Sequence, residues 1–343
     1  MDGFAVRAAD LPAELPVAYR VAAGLPAPGP LPAGAAAGIA TGGAVPDGAD
    51  TVVPVEHVHD RGASVVIDEP PGHARHIRPR GGDVRAGATV VGAGSRLRAA
   101  QIGSLAAAGV GHVVCAARPR VAVIATGSEL RAPGSELGPG QIYESNRAMI
   151  AAVFAQAGAE VEVLPIVADD EGAHREAIGR ALGADVLVTS GGVSMGELDL
   201  VRRVEAELGV KEIFWGVAIK PGKPLSFGVR GDTLVFGLPG NPVSSLVGAL
   251  VFVAPALLAR QGAVDPLPRY SLGTAGVSLE RNAQRDEFVR AIRSGENGVT
   301  LEPIGGQESH MIVRAAAADA LVHVPRGDGE IPVGAPVRFL PPG

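Results

Sequence analysis

Ala184-Asp185-Val186-Leu187-Val188-Thr189-Ser190-Gly191-Gly192-Val193-Ser194-Met195-Gly196-Glu197-Leu198-Asp199 is the stretch on which the reading of the chain turns. A short apolar run over residues 186–188 ends in Thr-Ser-Gly-Gly, and carboxylates follow at Glu197 and Asp199. A Val-rich run this short, stopped by glycine, reads as a buried strand. In an open α/β sheet, ligands bind where such strands end and their loops begin. Gly191 and Gly192 permit close backbone approach and positive φ, and the carboxylates are hard oxygen donors of the kind Mg2+ accepts. Taken alone, the stretch is equally an ordinary βα turn.

The same rhythm recurs around it. Residues 121–125 read as a strand ending in Thr126-Gly127-Ser128-Glu129. Residues 145–156 fit a helix with Ser145 as N-cap and Gly158 beyond its end. Residues 160–167 are the next strand, ending at Asp169-Asp170, and residues 171–182 are helical. A further strand, 233–236, runs into Gly237-Leu238-Pro239-Gly240-Asn241-Pro242-Val243-Ser244-Ser245, where Pro242 suits a helix's first turn. A repeat of about 30 residues is that of right-handed βαβ units, so a mainly parallel, doubly wound sheet is expected. Its loops should gather along one edge: 126–130, 169–170, 189–199 and 237–242. The helix start at Asn241 to Ser244 offers unpaired N–H groups and a positive dipole end to an anion.

On either side the text is β-like. Residues 17–21, 38–41, 51–55 and 64–68 are short Val/Ile runs broken by Pro and Gly, which predicts a small antiparallel unit. A turn-rich loop from Thr41 through Pro46-Asp47-Gly48-Ala49-Asp50 lies inside it; its Thr and Asp are also good turn residues. Residues 75–83 form a basic loop, and residues 97–108 have helical composition. After residue 262 the runs 270–279, 286–292, 299–304, 320–324 and 335–340 predict an all-β unit, with Arg290 and Gln307-Glu308-Ser309-His310 as polar outliers. The domain boundaries expected are 4–76, 77–118, 119–262 and 263–343.

Bulk properties narrow the partners. With 343 residues, about two to four folding units are expected. A formal charge of −6 and no basic cluster interleaved with aromatics argue against nucleic acid. The single cysteine, Cys115, rules out an internal disulfide. The apolar run 246–259 contains Pro255 and is short for a bilayer, and no basic segment precedes an apolar one at the N-terminus. A cytoplasmic, membrane-free protein is expected. Lys211, Lys220 and Lys223 are the only lysines among 30 basic residues, leaving 27 arginines. Two of the three fall in Lys220-Pro221-Gly222-Lys223-Pro224, where compact point charges suit an oxyanion.

Together these pieces resemble the molybdopterin molybdenumtransferases (MoeA, and the E domain of gephyrin). The resemblance rests on Met1-Asp2-Gly3-Phe4-Ala5, Thr41-Gly42 with Pro46 to Asp50, and Pro119-Arg120-Val121 through Thr126-Gly127-Ser128-Glu129-Leu130. It continues in Gly140-Gln141-Ile142-Tyr143-Glu144-Ser145-Asn146-Arg147, Ser190-Gly191-Gly192-Val193-Ser194, the lysine segment, and Gly237 to Ser244. It implies a central α/β molybdopterin-binding domain flanked by two β-rich domains and a partial linker domain. It further implies insertion of molybdenum from molybdate into adenylylated molybdopterin, with release of AMP and Mg2+ assisting.

By that resemblance Glu129, Asp169 and Asp199 are the acids of the central cleft, with Glu129 and Asp199 nearest the metal. Gly191, Gly192 and Ser194 are the substrate loop. Lys220, Lys223, Pro239, Asn241, Pro242, Ser244, Arg290 and Ser309 are the anion pocket, and Asp2 and Thr41 serve a partner subunit's cleft. Departures are Ser128 and Glu144 where Asp is common, and the lack of the segment that usually precedes Met-Asp-Gly. Either the true start lies further upstream or the protein is shortened, and a homodimer that is weakened or altered is expected. Two other functions fit the same motifs: a molybdopterin-binding scaffold without catalysis, and a related adenylyl-cleaving enzyme.

Overall fold

The computed structural model describes residues 2–69, 74–192, 200–295 and 298–342. The chain divides into two compact units, Met1–Val90 and Val91–Gly343.

The first unit is built on strands Gly3–Val6 (β1), Ala13–Val21 (β2), Ala36–Ile39 (β3), Thr51–Pro54 (β4), His59–Asp60 (β5) and Ser64–Ile67 (β6), in the order β4-β1-β3-β2-β6-β5. The expectation of an antiparallel unit needs one correction. The second half of β2 runs parallel to β3, from Val17↔Ala36 to Val21↔Ile39, while its first half pairs antiparallel with β6. A register shift between Val17 and Tyr19 falls at the start of the parallel half. A strand that bends at such an irregularity can serve two neighbours. Phe4, Val6, Leu15, Val53, Val65 and Ile67 pack into one core of this unit. Asp2 and Thr41 meet here: the Asp2 carboxylate accepts from the Thr41 N–H at 2.7 Å, and that bond holds its pKa below the usual value.

The second unit opens with helix Ala99–Ala107 (α1) and continues as strand Arg120–Ala125 (β7), a short pair Leu130–Arg131 (β8) and Ile142–Tyr143 (β9), and helix Asn146–Gln156 (α2). Strand Glu160–Val163 (β10), helix Glu171–Ala181 (α3), strand Val186–Ser190 (β11) and helix Leu200–Glu207 (α4) follow. Strands Lys211–Trp215 (β12), Ile219–Lys220 (β13), Ser226–Arg230 (β14) and Thr233–Leu238 (β15) come next, then helices Pro242–Gly248 (α5) and Ala254–Arg260 (α6). The main sheet has the order β10-β7-β11-β15-β14-β12; β10, β7, β11 and β15 are mutually parallel, and β14 and β12 add antiparallel at one edge.

Alternation along β7 explains the layers. Val121 and Val123 face a core that includes Phe154 of α2, Leu257 of α6 and Val253 just before it, whereas Ala122 and Ile124 face Ile178 of α3 and Val204 of α4. Successive strand residues point to opposite faces, and burial on both explains why these strands read as unbroken apolar runs. Residues 242–260 form one helical stretch of 19 residues, long and apolar enough to cross a membrane by length and composition, so the expectation that this segment is short is corrected. Its packing against β7, β11 and β15 makes it a core helix. A π turn, Ala249–Val253, precedes Pro255. Proline removes an N–H and its ring crowds the carbonyl one turn back, so the helix widens there.

Asp185 pins the sheet's entrance. Its carboxylate accepts from the Arg120 N–H at 2.8 Å and from the Arg260 guanidinium at 3.4 Å, linking β7, β11 and the end of α6. The Arg120 bond, ahead of the Arg260 charge, holds the Asp185 pKa below 3.8. A depressed carboxylate pKa contributes stability above the unfolded value that is lost as pH falls through the folded one. Asp185→Asn should therefore cost about 1 kcal/mol at neutral pH, lessened by the carboxylate's partial exposure. Urea melts at pH 7 and below pH 3.8 test this: the difference between the two proteins must shrink in acid.

The last segment forms a second sheet from Ser271–Ala275 (β16), Asp286–Ser294 (β18), Thr300–Pro303 (β19), Ala320–Val324 (β20) and Pro336–Leu340 (β22), with β13 at its margin. Leu279–Glu280 (β17) and Glu330–Ile331 (β21) pair separately. The β18–β20 pairing closes the second sheet on itself. Two expectations shift here. The unit is not all-β, because Ile312–Ala315 (α7) is a helical turn. The Lys220 segment pairs with this sheet, Lys220 opposite Glu287, and not with the parallel one.

Candidate functional site

The loops at the C-terminal ends of the parallel strands open into a cleft of about 680 Å³. It is lined by Thr126, Gly127 and Glu129 after β7, Asp169 after β10, Ser190 to Gly192 after β11, and Pro239 to Pro242 after β15. Pro224, His310 and Ile312 complete its wall. Backbone bonds hold these ends in register: Thr126 N–H to Ser190 O at 3.1 Å, Gly127 N–H to Val167 O at 3.1 Å, and Gly191 N–H to Leu238 O at 3.0 Å.

The two described acids of the expected site are both in the cleft. Asp169 and Ser128 clasp each other: the Ser128 N–H donates to Asp169 Oδ2 at 2.9 Å, and the Asp169 N–H donates to Ser128 Oγ at 3.0 Å. Ser128 thus fixes Asp169 through both its N–H and its hydroxyl. The Glu129 carboxylate lies over Gly127, so close that a Cβ there would fall 2.7 Å from Oε2. Asp199 and Ser194 lie outside the described residues.

Glycine is required at the floor. Gly191 has φ +94° and Gly192 φ +66°, and a Cβ on Gly191 would sit 2.7 Å from the Thr126 carbonyl oxygen. Beside them Asn146, buried at the start of α2, donates through Nδ2 to Ser190 Oγ at 2.9 Å and to Gly240 O at 2.7 Å. One side chain therefore ties the β11 loop to the β15 loop. The sequence places Asn146 in a helix start and in the Gly140 to Arg147 motif, with no role in the site assigned to it. Ser145 does hold the N-cap position but makes no side-chain cap. Glu144 takes the Arg147 N–H at 2.9 Å and its guanidinium at 2.7 Å instead. The Gly140 to Arg147 motif was the signal that could have flagged these residues.

The anion pocket is only partly as expected. Pro239, Asn241 and Pro242 line the cleft. Ser309 is drawn to them: Asn241 Nδ2 donates to its Oγ at 2.8 Å, and the Val243 N–H donates to its carbonyl at 3.0 Å. One of the helix-start N–H groups thought open to an anion is thereby occupied, and Ser244 is buried in the helix. Lys220 is half-exposed and pairs with Glu287 at 3.1 Å, Lys223 is exposed, and neither lines the cleft. Arg290 requires a correction. It is 1% exposed, and its guanidinium donates to the carbonyls of Met311 and Gly306 at 2.7 Å and Glu308 at 3.1 Å. A guanidinium committed to three carbonyls positions the loop that carries Ser309 and His310, and it does not line the cleft.

Magnesium is tested by its donors. Among the described residues no group of three or more His, Cys, Asp or Glu could hold a metal. Mg2+ is commonly held by one or two carboxylates completed by substrate phosphates and water, which Glu129 and Asp169 in one open cleft fit.

Comparison with known proteins agrees with this architecture. Residues 1–109 match the MoeA N-terminal region (domain I and II), residues 122–259 a probable molybdopterin binding domain, and residues 273–341 the MoeA C-terminal region (domain IV). Molybdopterin molybdenumtransferase 2 of Mycobacterium tuberculosis is 37% identical across 97% of this chain and 85% of its own length. Molybdopterin molybdenumtransferase of Haemophilus influenzae is 33% identical across 99% and 86%. The crystal structure of a molybdopterin biosynthesis MoeA protein from Pyrococcus horikoshii superposes with a TM-score of 0.75 at 31% identity, over 100% of this chain and 86% of that one. The chain belongs to the MoeA family of molybdopterin molybdenumtransferases, which acts in molybdenum cofactor biosynthesis.

Proposed function

We propose that the cleft binds adenylylated molybdopterin and molybdate, and that molybdenum is inserted with release of AMP. The observation that carries this reading is the convergence of Glu129, Asp169, the Gly191-Gly192 floor and the Pro239 to Pro242 loop on one cavity. Its volume of about 680 Å³ suits a substrate of this size. Gly191 and Gly192 let the substrate approach the backbone, and Asn146 keeps their loop aligned with Gly240. Glu129 and Asp169 would hold Mg2+, with Asp199 as a further candidate. Bound there, the ion would neutralise phosphate oxygens and polarise the P–O bond that breaks. Asp169 is presented for this role by its clasp with Ser128. The same reading includes a homodimer in which Asp2 and Thr41 serve a partner's cleft, tested by light scattering of the purified chain.

The decisive assay is incubation with adenylylated molybdopterin and Mg2+, with and without molybdate. Molybdate-dependent AMP release is expected; tight binding with no release at saturating molybdate would favour a scaffold. Glu129→Gln should slow release by about a hundredfold or more, since a metal-held charge contributes several kcal/mol to the transition state. Its effect on substrate affinity should be far smaller. An unchanged rate would remove Glu129 from the chemistry.

A further inference from the structure

The cleft has a polar floor and an apolar shelf. Leu130, Ile142, Tyr143 and Ile312 form the shelf. Ile142 and Tyr143 are 54% and 48% exposed, a large apolar surface to leave facing water inside a cleft. Tyr143 is the one Phe, Tyr or Trp among the described residues lining it. Its hydroxyl does not face the cavity unpaired: it donates to Ser135 O at 2.8 Å. The loop it holds is closed further by Gly138 N–H on Gln141 Oε1 at 2.9 Å and by Ser135 Oγ on Ala132 O at 2.7 Å. The backbone of Tyr143 is fixed by pairing with Arg131. With both ends anchored, the ring has little rotamer freedom left to lose on binding. A fixed, half-exposed aromatic ring beside aliphatic side chains is a stacking surface for a flat heterocycle.

The substrate of the proposed reaction carries two such heterocycles, a pterin and an adenine. Resting on that reading, we propose that Tyr143 is a substrate-binding residue on which one of these planar nitrogen heteroaromatic rings stacks. The polar floor then receives the charged remainder of the molecule.

Titrating the wild type, Tyr143→Ala and Tyr143→Phe with AMP and, separately, with 6-hydroxymethylpterin measures ring binding without turnover. Tyr143→Ala should weaken one of the two by about tenfold or more, the range of a base–aromatic stack. In the AMP-release assay the loss should fall on KM, with kcat moving by less than about twofold. Tyr143→Phe keeps the ring but not the bond to Ser135, and should recover most of the loss. A response in the AMP arm assigns the adenine, and one in the pterin arm assigns the pterin. Unchanged affinity for both ligands in Tyr143→Ala overturns the inference. So does a Tyr143→Phe as defective as the alanine variant, since the loop anchor and not the ring would then matter. Tyr143→Leu, which keeps apolar bulk, replaces the alanine variant should that one not fold. A wild type that binds a ring through Tyr143 yet releases no AMP would overturn the proposed reaction and leave the stacking site standing.

Discussion

Arg290→Met is expected to be among the most damaging substitutions in the chain, although Arg290 does not line the cleft. The methionine matches much of the arginine's length but donates nothing. The carbonyls of Gly306, Glu308 and Met311 lose their partner together. The three bonds are part-buried, so each acceptor left without its partner costs toward the lower end of about 1–3 kcal/mol, and a total of about 3 kcal/mol is expected after relaxation. The damage should travel. Gln307 grips Arg290 from both sides, accepting its N–H at 3.0 Å and donating to its carbonyl at 2.9 Å. The same loop carries Ser309 to Asn241 and Val243 at the cleft wall. Hydrogen exchange should rise at residues 304–311 and at the Val243 amide, and the urea midpoint should fall. Burial lowers the Arg290 pKa, yet a guanidinium remains charged at neutral pH. Arg290→Lys, with one point charge for three divergent carbonyls, should be intermediate. If Arg290→Met melts like the wild type, the loop is held by other contacts and the positioning role is refuted.

That role could not be read from the sequence, for a physical reason. A lone arginine in a β-type run has the same local text whether it faces solvent, an anion or three carbonyls. Only the return of the chain 16 to 21 residues later decides between them. The Asn241–Ser309 bond spans 68 residues and the Asn146–Gly240 bond spans 94, so neither leaves a periodic trace. What was legible lies where local pattern and burial coincide. Strands β7 and β11, buried on both faces, read as apolar runs that stop at glycine, and the loops after them did gather in one cleft. Strand direction in the first unit was not legible, because the pattern of β2 is the same for a parallel as for an antiparallel neighbour. The proline at Pro255 suggested a break in the apolar helix; the π turn before it let the helix continue.

Gly191→Ala should abolish AMP release and destabilise the second unit by about 2–5 kcal/mol, combining backbone strain with overpacking. The strain is intrinsic: φ at Gly191 is +94°, which an L side chain rarely adopts. The steric conflict is with main chain and not with a side chain that could turn away. A methyl would sit 2.7 Å from the Thr126 carbonyl oxygen and 3.1 Å from its hydroxyl. Thr126 cannot withdraw freely, because its N–H is bonded to Ser190 O and the next residue's N–H to Val167 O. Gly191 cannot withdraw either without releasing Leu238 O. Relief must therefore come from parting the ends of β7, β11 and β15, which are the elements that hold Glu129 and the Pro239 to Pro242 loop in the cleft. Gly179→Ala is the internal control: an exposed glycine within α3, with nothing within 4 Å of a new Cβ. There the same methyl should stabilise by roughly 0.5–1 kcal/mol, since alanine loses less backbone entropy on entering a helix. Opposite signs for one chemical change, read as urea midpoints beside AMP-release rates, isolate the close approach at Gly191 as the cause. Should Gly191→Ala keep the wild-type midpoint and rate, the β11 loop is slack enough to move aside, and the rigid-floor account of the cleft fails with it.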